Sequence, residues 1–127
     1  RLENSNIATY ITTESYVYHI AEDEFVPGNL VFIDWNALKT TDGTKTSLKA
    51  GSSISEGYLE DVGSNARFNE IFPFLQLSNS ILFLADYNNN CFRSVDRTTN
   101  QTSTYSGSCT NRGERDGVNA LFTALFL

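Results

Sequence analysis

The sequence of 127 residues has no methionine, one histidine, one tryptophan, two prolines and two cysteines. Basic residues are also scarce, with 9 lysines and arginines against 15 aspartates and glutamates, and the formal net charge is −6. Binding to a phosphate backbone needs clustered positive charge, so we expect no nucleic-acid partner. The one histidine, His19, does not supply the two or three imidazoles or thiolates of an ordinary zinc site, and we expect no metal site built on it.

Long apolar runs are missing as well. Ile81–Ala85 is one of the longest, and it has the length of a strand, far short of the roughly 20 residues of a membrane helix. We therefore expect no membrane insertion by this segment. A Ser-His-Asp arrangement and a phosphate-binding glycine loop are also lacking. Because the chain opens on Arg1 without a methionine and ends on the apolar Leu125–Leu127, we expect a fragment of a longer protein.

Strand-forming residues are what the sequence has in quantity. Tyrosine and phenylalanine number 6 and 9, and serine and threonine are common. This mix favours strands over helices. With 40% hydrophobic residues and the length of one ordinary domain, the sequence predicts an all-β fold.

The two cysteines, Cys91 and Cys109, lie symmetrically about the N-glycosylation pattern Asn100-Gln101-Thr102. A hairpin with Asn100 at its tip explains both features, because directly opposed residues have the Cα spacing of a disulfide. In that register the facing pairs are Cys91–Cys109, Arg93–Gly107 and Val95–Tyr105. The hairpin predicts a disulfide, a glycan on Asn100 and an extracellular or cell-surface location. The competing interpretation is a cytosolic protein with two free thiols and an unused acceptor site.

Short apolar segments separated by polar turns recur along the chain. In the second half, four strands are predicted at Phe74–Leu77, Ile81–Asp86, Cys91–Asp96 and Thr102–Gly107. In the first half, the corresponding segments are Ile7–Thr12, Tyr16–Glu22, Asn29–Trp35 and Lys45–Gly51, with a longer turn at Asn36–Thr44. Each set predicts a four-stranded antiparallel meander.

The segments between the meanders repeat too. Gly57–Ile71 resembles Gly113–Leu125, and both Gly51 to Gly107 and Gly57 to Gly113 are 56 residues apart. A period near this value is typical of the four-stranded blades of β-propellers. We therefore expect about two blades of a larger or assembled propeller. The predicted boundaries are a divergent blade at 1–51, a linker at 52–73, a second blade at 74–109 and a linker into the next blade at 110–127.

The stretches "GYLEDVGSNARF", "LFLADYNNNCFRSVD", "TSTYSG" and "GERDGVNALF" resemble NHL repeats. The resemblance is specific over Gly57–Phe122 and loose over Ile7–Gly51, where Val31 stands at the position of Arg93 and Glu22 at that of Asp86. The segment "LVFIDW" of the first half is also similar to the related YWTD propellers. Either family implies the same β-propeller architecture.

The resemblance implies structural roles for several residues. Phe68 and Phe122 would be wedges between neighbouring blades, where large apolar area is buried. Asp86 and Asp96 would end strands and accept turn N–H groups, and Arg93 would pair with such a carboxylate. Gly107 would end the fourth strand.

Surface features give weaker indications. The loops containing Phe25 and Tyr87 are both interpreted as joining second to third strands, and with Tyr58 they provide exposed aromatic contact candidates. The acidic clusters Glu22–Glu24 and Glu60–Asp61 are either solvated faces or oxygen ligands for calcium. Their spacing matches no known calcium loop, so no cofactor is expected.

Two blades cannot close a ring, since propellers typically have about 4–8 blades. The expected partners are therefore other proteins or flanking blades of the same or another chain. The function that we expect is a non-catalytic, extracellular or cell-surface scaffold or protein-interaction module. The alternative is part of a propeller enzyme, similar to metal-dependent lyases, with its active site in missing blades. An RNA-binding NHL module is disfavoured by the net charge of −6.

Overall fold

The computed structural model describes residues 17–76, 80–107 and 109. They form two four-stranded antiparallel sheets, each with its strands in sequence order. The predicted all-β fold of two meanders is confirmed. The first sheet consists of β1 (Val17–Glu22), β2 (Leu30–Asp34), β3 (Asn36–Thr41) and β4 (Thr46–Ser52), and the second of β5 (Ile71–Gln76), β6 (Ile81–Asp86), β7 (Cys91–Asp96) and β8 (Gln101–Gly107).

Helical structure in the described part of the chain is limited to two 3-10 turns, Gly63–Asn65 and Tyr87–Asn89. No helix found there has the length and apolar character needed to cross a bilayer.

The strand assignment predicted for the first half is wrong by one strand. Asn36–Thr41, predicted as part of a turn, is the third strand, and Val17–Glu22 takes the first position instead of the second. The predicted strand Ile7–Thr12 lies outside the described residues. The reason is the β2–β3 connection, where Trp35 reverses the chain at a φ of 55° without a glycine or proline to mark the turn.

With the correct strands, the two sheets correspond pair by pair. In the first sheet Phe32 faces Lys39, and in the second Leu84 faces Arg93. In each sheet the pairing of the third strand with the fourth shifts directly before this basic residue, because the fourth strand has one extra residue there, Lys49 in β4 and Tyr105 in β8. Lys39 is therefore the counterpart of Arg93, in place of the predicted Val31.

The acidic residue of the repeat is corrected in the same way. Asp34 ends β2 opposite Ala37, as Asp86 ends β6 opposite Cys91. Asp34, and not the predicted Glu22, is thus the counterpart of Asp86. The first half matches the second more closely than the sequence comparison indicated.

The hydrophobic core spans both sheets and the segment between them. Its buried members are Val31, Ile33, Leu38, Ala50, Phe68, Ile71, Phe74, Leu82, Leu84 and Val95. Phe68 belongs to the connecting segment, residues 53–70 between β4 and β5. It has no exposed surface and packs against Gly51 at the end of the first sheet. This ring joins the first sheet to the second through direct apolar contact.

The connecting segment also covers the outer edge of the second sheet. The N–H of Thr102 donates to the Asp61 carbonyl at 2.9 Å, and the N–H of Gly63 donates to the Asn100 carbonyl at 2.9 Å. Val62 and Gln101 form a β-bridge between these two bonds. Strand β8 is therefore protected from the pairing with other chains to which open edges are prone.

Replacing Gly51 with alanine should destabilise the fold by about 3 kcal/mol, because two costs combine. Gly51 has a φ of 86°, and an added Cβ would lie 2.2 Å from the Asn36 carbonyl oxygen and 2.8 Å from the Phe68 ring. Gly28→Ala is the matched control, since Gly28 has a φ of 95° with no atom within 4 Å of the added Cβ. It should lose only about 1 kcal/mol. Urea denaturation measures both variants, and equal losses would contradict the close-contact argument.

Candidate functional site

The guanidinium of Arg93 has no exposed surface and bonds three separate groups of the described structure. Its Nη1 donates to Asp86 Oδ2 at 2.6 Å and to the Arg67 carbonyl at 3.1 Å, and its Nη2 donates to the Leu59 carbonyl at 3.0 Å. Arginine presents several donors in a fixed fork. Arg93 of β7 is therefore bonded to Asp86 at the end of β6 and to the carbonyls of Leu59 and Arg67. These two residues pair with each other within the segment that joins the sheets.

Two aromatic rings enclose this guanidinium. The Arg93 Cζ lies 4.6 Å from the centre of the Tyr58 ring and 5.0 Å from that of Phe68. The Tyr58 hydroxyl is hydrogen-bonded to Thr104 Oγ1 at 3.0 Å, and 39% of the Tyr58 side chain remains exposed. Tyr58 thus covers the buried cation and presents its outer edge to solvent.

Asp86 is buried at the junction of the second sheet and the connecting segment. Besides Arg93, it accepts from the Asn69 N–H at 2.8 Å and from Asn89 Nδ2 at 2.9 Å. Burial raises the pKa of the Asp86 carboxyl, and these donors oppose that rise only in part. Asp96 has a smaller role, since its Oδ1 accepts the Thr98 N–H at 2.9 Å in the β7–β8 turn.

The first sheet has the same pair with lysine in place of arginine. Lys39 Nζ lies 2.9 Å from Asp34 Oδ2, and both side chains are at least nine-tenths buried. A buried cation and carboxylate stabilise each other only as a pair. Each sheet therefore has a buried ion pair between its second and third strands, Asp34–Lys39 in the first sheet and Asp86–Arg93 in the second.

A third buried ion pair joins the two sheets, and the sequence did not reveal it. Arg97 of the β7–β8 turn donates to both carboxylate oxygens of Asp23, at 3.2 and 2.5 Å, and its guanidinium lies 5.3 Å from the Phe25 ring. Asp23 was assigned to an acidic cluster and is instead buried. The sequence signal for it was the turn "DEFVPGN", in which an aspartate accepts the N–H groups two and three residues later.

The charge state of Asp23 follows from these partners. Burial alone would raise the pKa of its carboxyl, but the hydrogen bond from Arg97, the N–H groups of Phe25 and Val26 and the Arg97 charge outweigh burial. The pKa of Asp23 therefore lies below its ordinary value.

Further contacts join β1 and the loop that follows it to β5, and we call this boundary between the two sheets the seam. Gln76 donates from Nε2 to the Glu22 carbonyl at 2.8 Å and accepts the Glu24 N–H at 2.8 Å. His19 lies edge-on to the Phe74 ring, with centroids 4.2 Å apart, and burial lowers the pKa of its imidazole. Residues of the Glu22–Glu24 cluster are thus engaged at this seam. Within the described ranges, no three His, Cys, Asp or Glu side chains are grouped as a metal site would need.

The three aromatic contact candidates do not form one surface. Phe25 is half-buried at the end of the sheets that contains the β7–β8 turn, whereas Tyr87 is exposed at the β6–β7 turn, the opposite end of β7. The loop of Phe25 joins β1 to β2, so its predicted equivalence with the loop of Tyr87 is wrong. Tyr58 lies between these ends, against β8. Two of the three rings are stacked on buried arginines, so they have structural contacts of their own.

The β7–β8 hairpin has a different register from the predicted one. Cys91 pairs with Gly107, Arg93 with Thr104 and Val95 with Thr102, because the turn spans only 97–100 and a bulge follows Phe92. The predicted facing pairs are therefore wrong. The disulfide Cys91–Cys109 is nevertheless present, with the Cα atoms 5.0 Å apart.

Gly107 explains how the disulfide forms in this register. Its φ is 97°, and an added Cβ would lie 3.1 Å from the Cα of Cys91. The chain therefore turns closely around Cys91, which brings Cys109 within bonding distance although it lies beyond the end of β8. Phe122, the other predicted wedge, lies outside the described residues.

The acceptor site for a glycan is less open than predicted. Asn100 is the last residue of the turn, is half-buried and has a φ of 62°. Its carbonyl is bonded to the connecting segment, and the side chain of Thr102 has no exposed surface. In the folded chain this acceptor site therefore lies against the segment that precedes β5 and not in an open turn.

Comparison with known proteins gives no family assignment. No protein-family model matches the chain, and no curated protein matches it.

Exchanging Asp23 for asparagine should lower the free energy of unfolding by roughly 2–3 kcal/mol at pH 7, because Arg97 stays buried without its partner. The folded-state pKa of Asp23 is lowered, so the carboxylate stabilises the fold above its unfolded pKa of about 3.9 and ceases to do so as the pH falls through the lower folded value. The difference between the two proteins should therefore shrink below about pH 4. Urea denaturation from pH 7 to pH 3 measures it. Glu24→Gln, at an exposed neighbour, is the control, and a difference independent of pH would contradict the ion pair.

Two substitutions of Arg93 distinguish the contribution of its charge to stability from the contribution of its several N–H donors. Arg93→Lys keeps the partner of Asp86 and loses the bonds to the connecting segment, so it should lose about 1–2 kcal/mol. Arg93→Met leaves Asp86 buried without a cation and should lose about 3–5 kcal/mol. Lys45→Met is the control, because this exposed lysine should contribute less than about 1 kcal/mol. Chemical denaturation ranks the three, and equal losses for Lys and Met would show that Asp86 needs no cation.

Proposed function

We propose that this chain is a non-catalytic propeller module that acts as a structural or protein-interaction scaffold outside the cytosol. The observation that carries the proposal is the use of the buried charges. In the described part of the molecule, Arg93, Arg97 and Lys39 are each paired with a buried carboxylate, at N–O distances of 2.5–2.9 Å. These groups join strands, sheets and connecting segment, and the pairs stabilise the fold.

With the corrected strand order, the NHL-type resemblance is supported by features of both sheets and not mainly by those of the second. Both sheets have an aspartate at the end of the second strand and a basic residue on the third, with the bulge at the same place. A sheet and its neighbour also share an aromatic wedge, Phe68. The aspartate, the basic residue and the aromatic wedge are features that the resemblance implies for consecutive blades, and we propose β-propeller blades of this type for both halves.

The proposed location rests on the disulfide. Disulfides persist in oxidising compartments and are rare in the cytosol. Cys91 and Cys109 are bonded, and the described residues include no free cysteine. A secreted or cell-surface protein is the class that fits, with other proteins or flanking blades as partners.

Intact-mass analysis of the native protein tests the location. Reduction should add the mass of two hydrogens, with no free thiol beforehand, and glycosidase treatment should remove a sugar if Asn100 was modified during synthesis. Asn100→Gln should abolish only the sugar, and Asn88→Gln, at an exposed asparagine outside any acceptor pattern, should change neither result. Free thiols together with an unmodified Asn100 would contradict the extracellular assignment and favour a cytoplasmic regulator.

A further inference from the structure

The turn that joins β3 to β4 contains the dipeptide Asp42-Gly43. Asp42 is exposed, and Gly43 is half-buried with a φ of 92°. An aspartate followed by a glycine is chemically reactive, because the backbone nitrogen of the second residue can attack the side-chain carboxyl carbon of the first. Glycine has no Cβ to obstruct that approach. The pair is therefore a candidate site for the rearrangement of aspartate to isoaspartate.

This rearrangement needs no reactant other than water. A bond forms between the Gly43 nitrogen and Cγ of Asp42, the nitrogen loses its proton and the protonated carboxyl loses its hydroxyl, so that one water molecule leaves. The product is a cyclic imide, and water then adds to one of its two carbonyl carbons. Opening at Cγ restores aspartate. Opening at the main-chain carbonyl carbon leaves the backbone running through Cγ, which is isoaspartate.

The folded turn engages both of the reacting groups. The Gly43 N–H donates to Thr41 Oγ1 at 3.1 Å. On the carboxyl side, Asp42 Oδ1 accepts the N–H of Thr44 at 2.8 Å and that of Lys45 at 2.9 Å. The nitrogen that would attack is therefore bonded to the residue before Asp42, while the carboxylate is bonded to the residues that follow Gly43.

The same bonds affect the charge of the carboxyl. The N–H groups of Lys45 and Thr44 lower the pKa of Asp42. The carboxyl is therefore ionised at neutral pH, and a carboxylate is a poorer electrophile than a neutral carboxyl group. Position and charge thus both oppose ring closure while the turn is intact.

The hydroxyl of Thr41 holds the two ends of the turn together. Besides accepting from Gly43, it donates to the Lys45 carbonyl at 3.0 Å, and the Asp42 N–H lies 3.3 Å from the same carbonyl. Only 1% of the Thr41 surface is exposed. Ring closure therefore requires that several bonds of the turn break together, and its rate should follow the population of the open turn.

We propose that Asp42-Gly43 is a site of spontaneous isoaspartate formation that the folded β3–β4 turn suppresses, so that the modification records opening of this turn. The product has one additional carbon atom in the backbone, and its free carboxylate no longer stands where Thr44 and Lys45 donate. It should therefore close the turn less well than the parent chain does. This proposal depends only on the contacts of the turn and not on the scaffold function.

Incorporation of heavy oxygen tests the proposal. The full chain and a peptide of residues 38–48 are incubated at neutral pH in water labelled with oxygen-18, so that each hydrolysis of the imide inserts one heavy oxygen atom. Digestion in ordinary water and fragment-ion mass spectrometry then give the label and the isoaspartate at position 42. The peptide should react about tenfold or more faster than the folded chain. Equal rates in the peptide and the chain would overturn the proposal.

Variants of the turn identify the bonds responsible. Thr41→Val removes the hydroxyl that holds Gly43 and should raise the rate in the folded chain about fivefold, whereas Thr41→Ser keeps a hydroxyl and should retain the wild-type rate. Thr46→Val is the matched control, because Thr46 pairs directly with Thr41 and its hydroxyl is not part of these bonds. Circular dichroism establishes that the variants are folded. Equal rates in the two valine variants would contradict control by the turn.

The other Asp-Gly pair of the chain, Asp116-Gly117, lies outside the described residues and provides a reference in the same digest. Its rate should be the same in the wild-type chain and in every variant. An increase at Asp116-Gly117 equal to that at Asp42 in Thr41→Val would show general unfolding and would also overturn the proposal.

Discussion

The pairing of Arg93 with Asp86 is the interaction on which the rest of the second sheet depends. A charge buried without a partner is strongly unfavourable, so neither side chain could occupy its place alone. Once paired, Arg93 has donors left for the carbonyls of Leu59 and Arg67. These bonds fix the connecting segment, which in turn places Phe68 in the core and covers β8. The position of the connecting segment, and with it Phe68 in the core and the cover on β8, is therefore linked to one buried pair.

Both sheets pair a buried aspartate with a cation, which is a lysine in the first sheet and an arginine in the second. Lysine is a compact point charge, whereas arginine bonds several acceptors in fixed directions. Lys39 pairs with Asp34, but its single ammonium cannot reproduce the fork that Arg93 extends to two carbonyls.

The sequence was informative where turns are marked and misleading where they are not. Polar or glycine-containing turns separate the strands of the second sheet, and those strands were placed to within a few residues. The first sheet was shifted because the Trp35 reversal has no turn signal and because β3 is buried along its whole length despite its polar residues. The hairpin was misread for a related reason, since the spacing of two cysteines fits several registers once a bulge and Gly107 are allowed. The Asp23–Arg97 pair joins residues 74 positions apart, a separation at which local patterns carry no information.

The contacts of the connecting segment place the boundary of the repeat differently from the sequence. By composition, 52–73 is a linker between two blades. By contacts, its residues from Gly57 onward belong to the second sheet, because they bond Arg93, Asn100, Thr102 and Asn89 there. In a repeat protein each unit is stabilised by its own contacts and those with its neighbour. The folding unit of the second sheet is therefore the connecting segment from Gly57 onward together with the sheet that follows it.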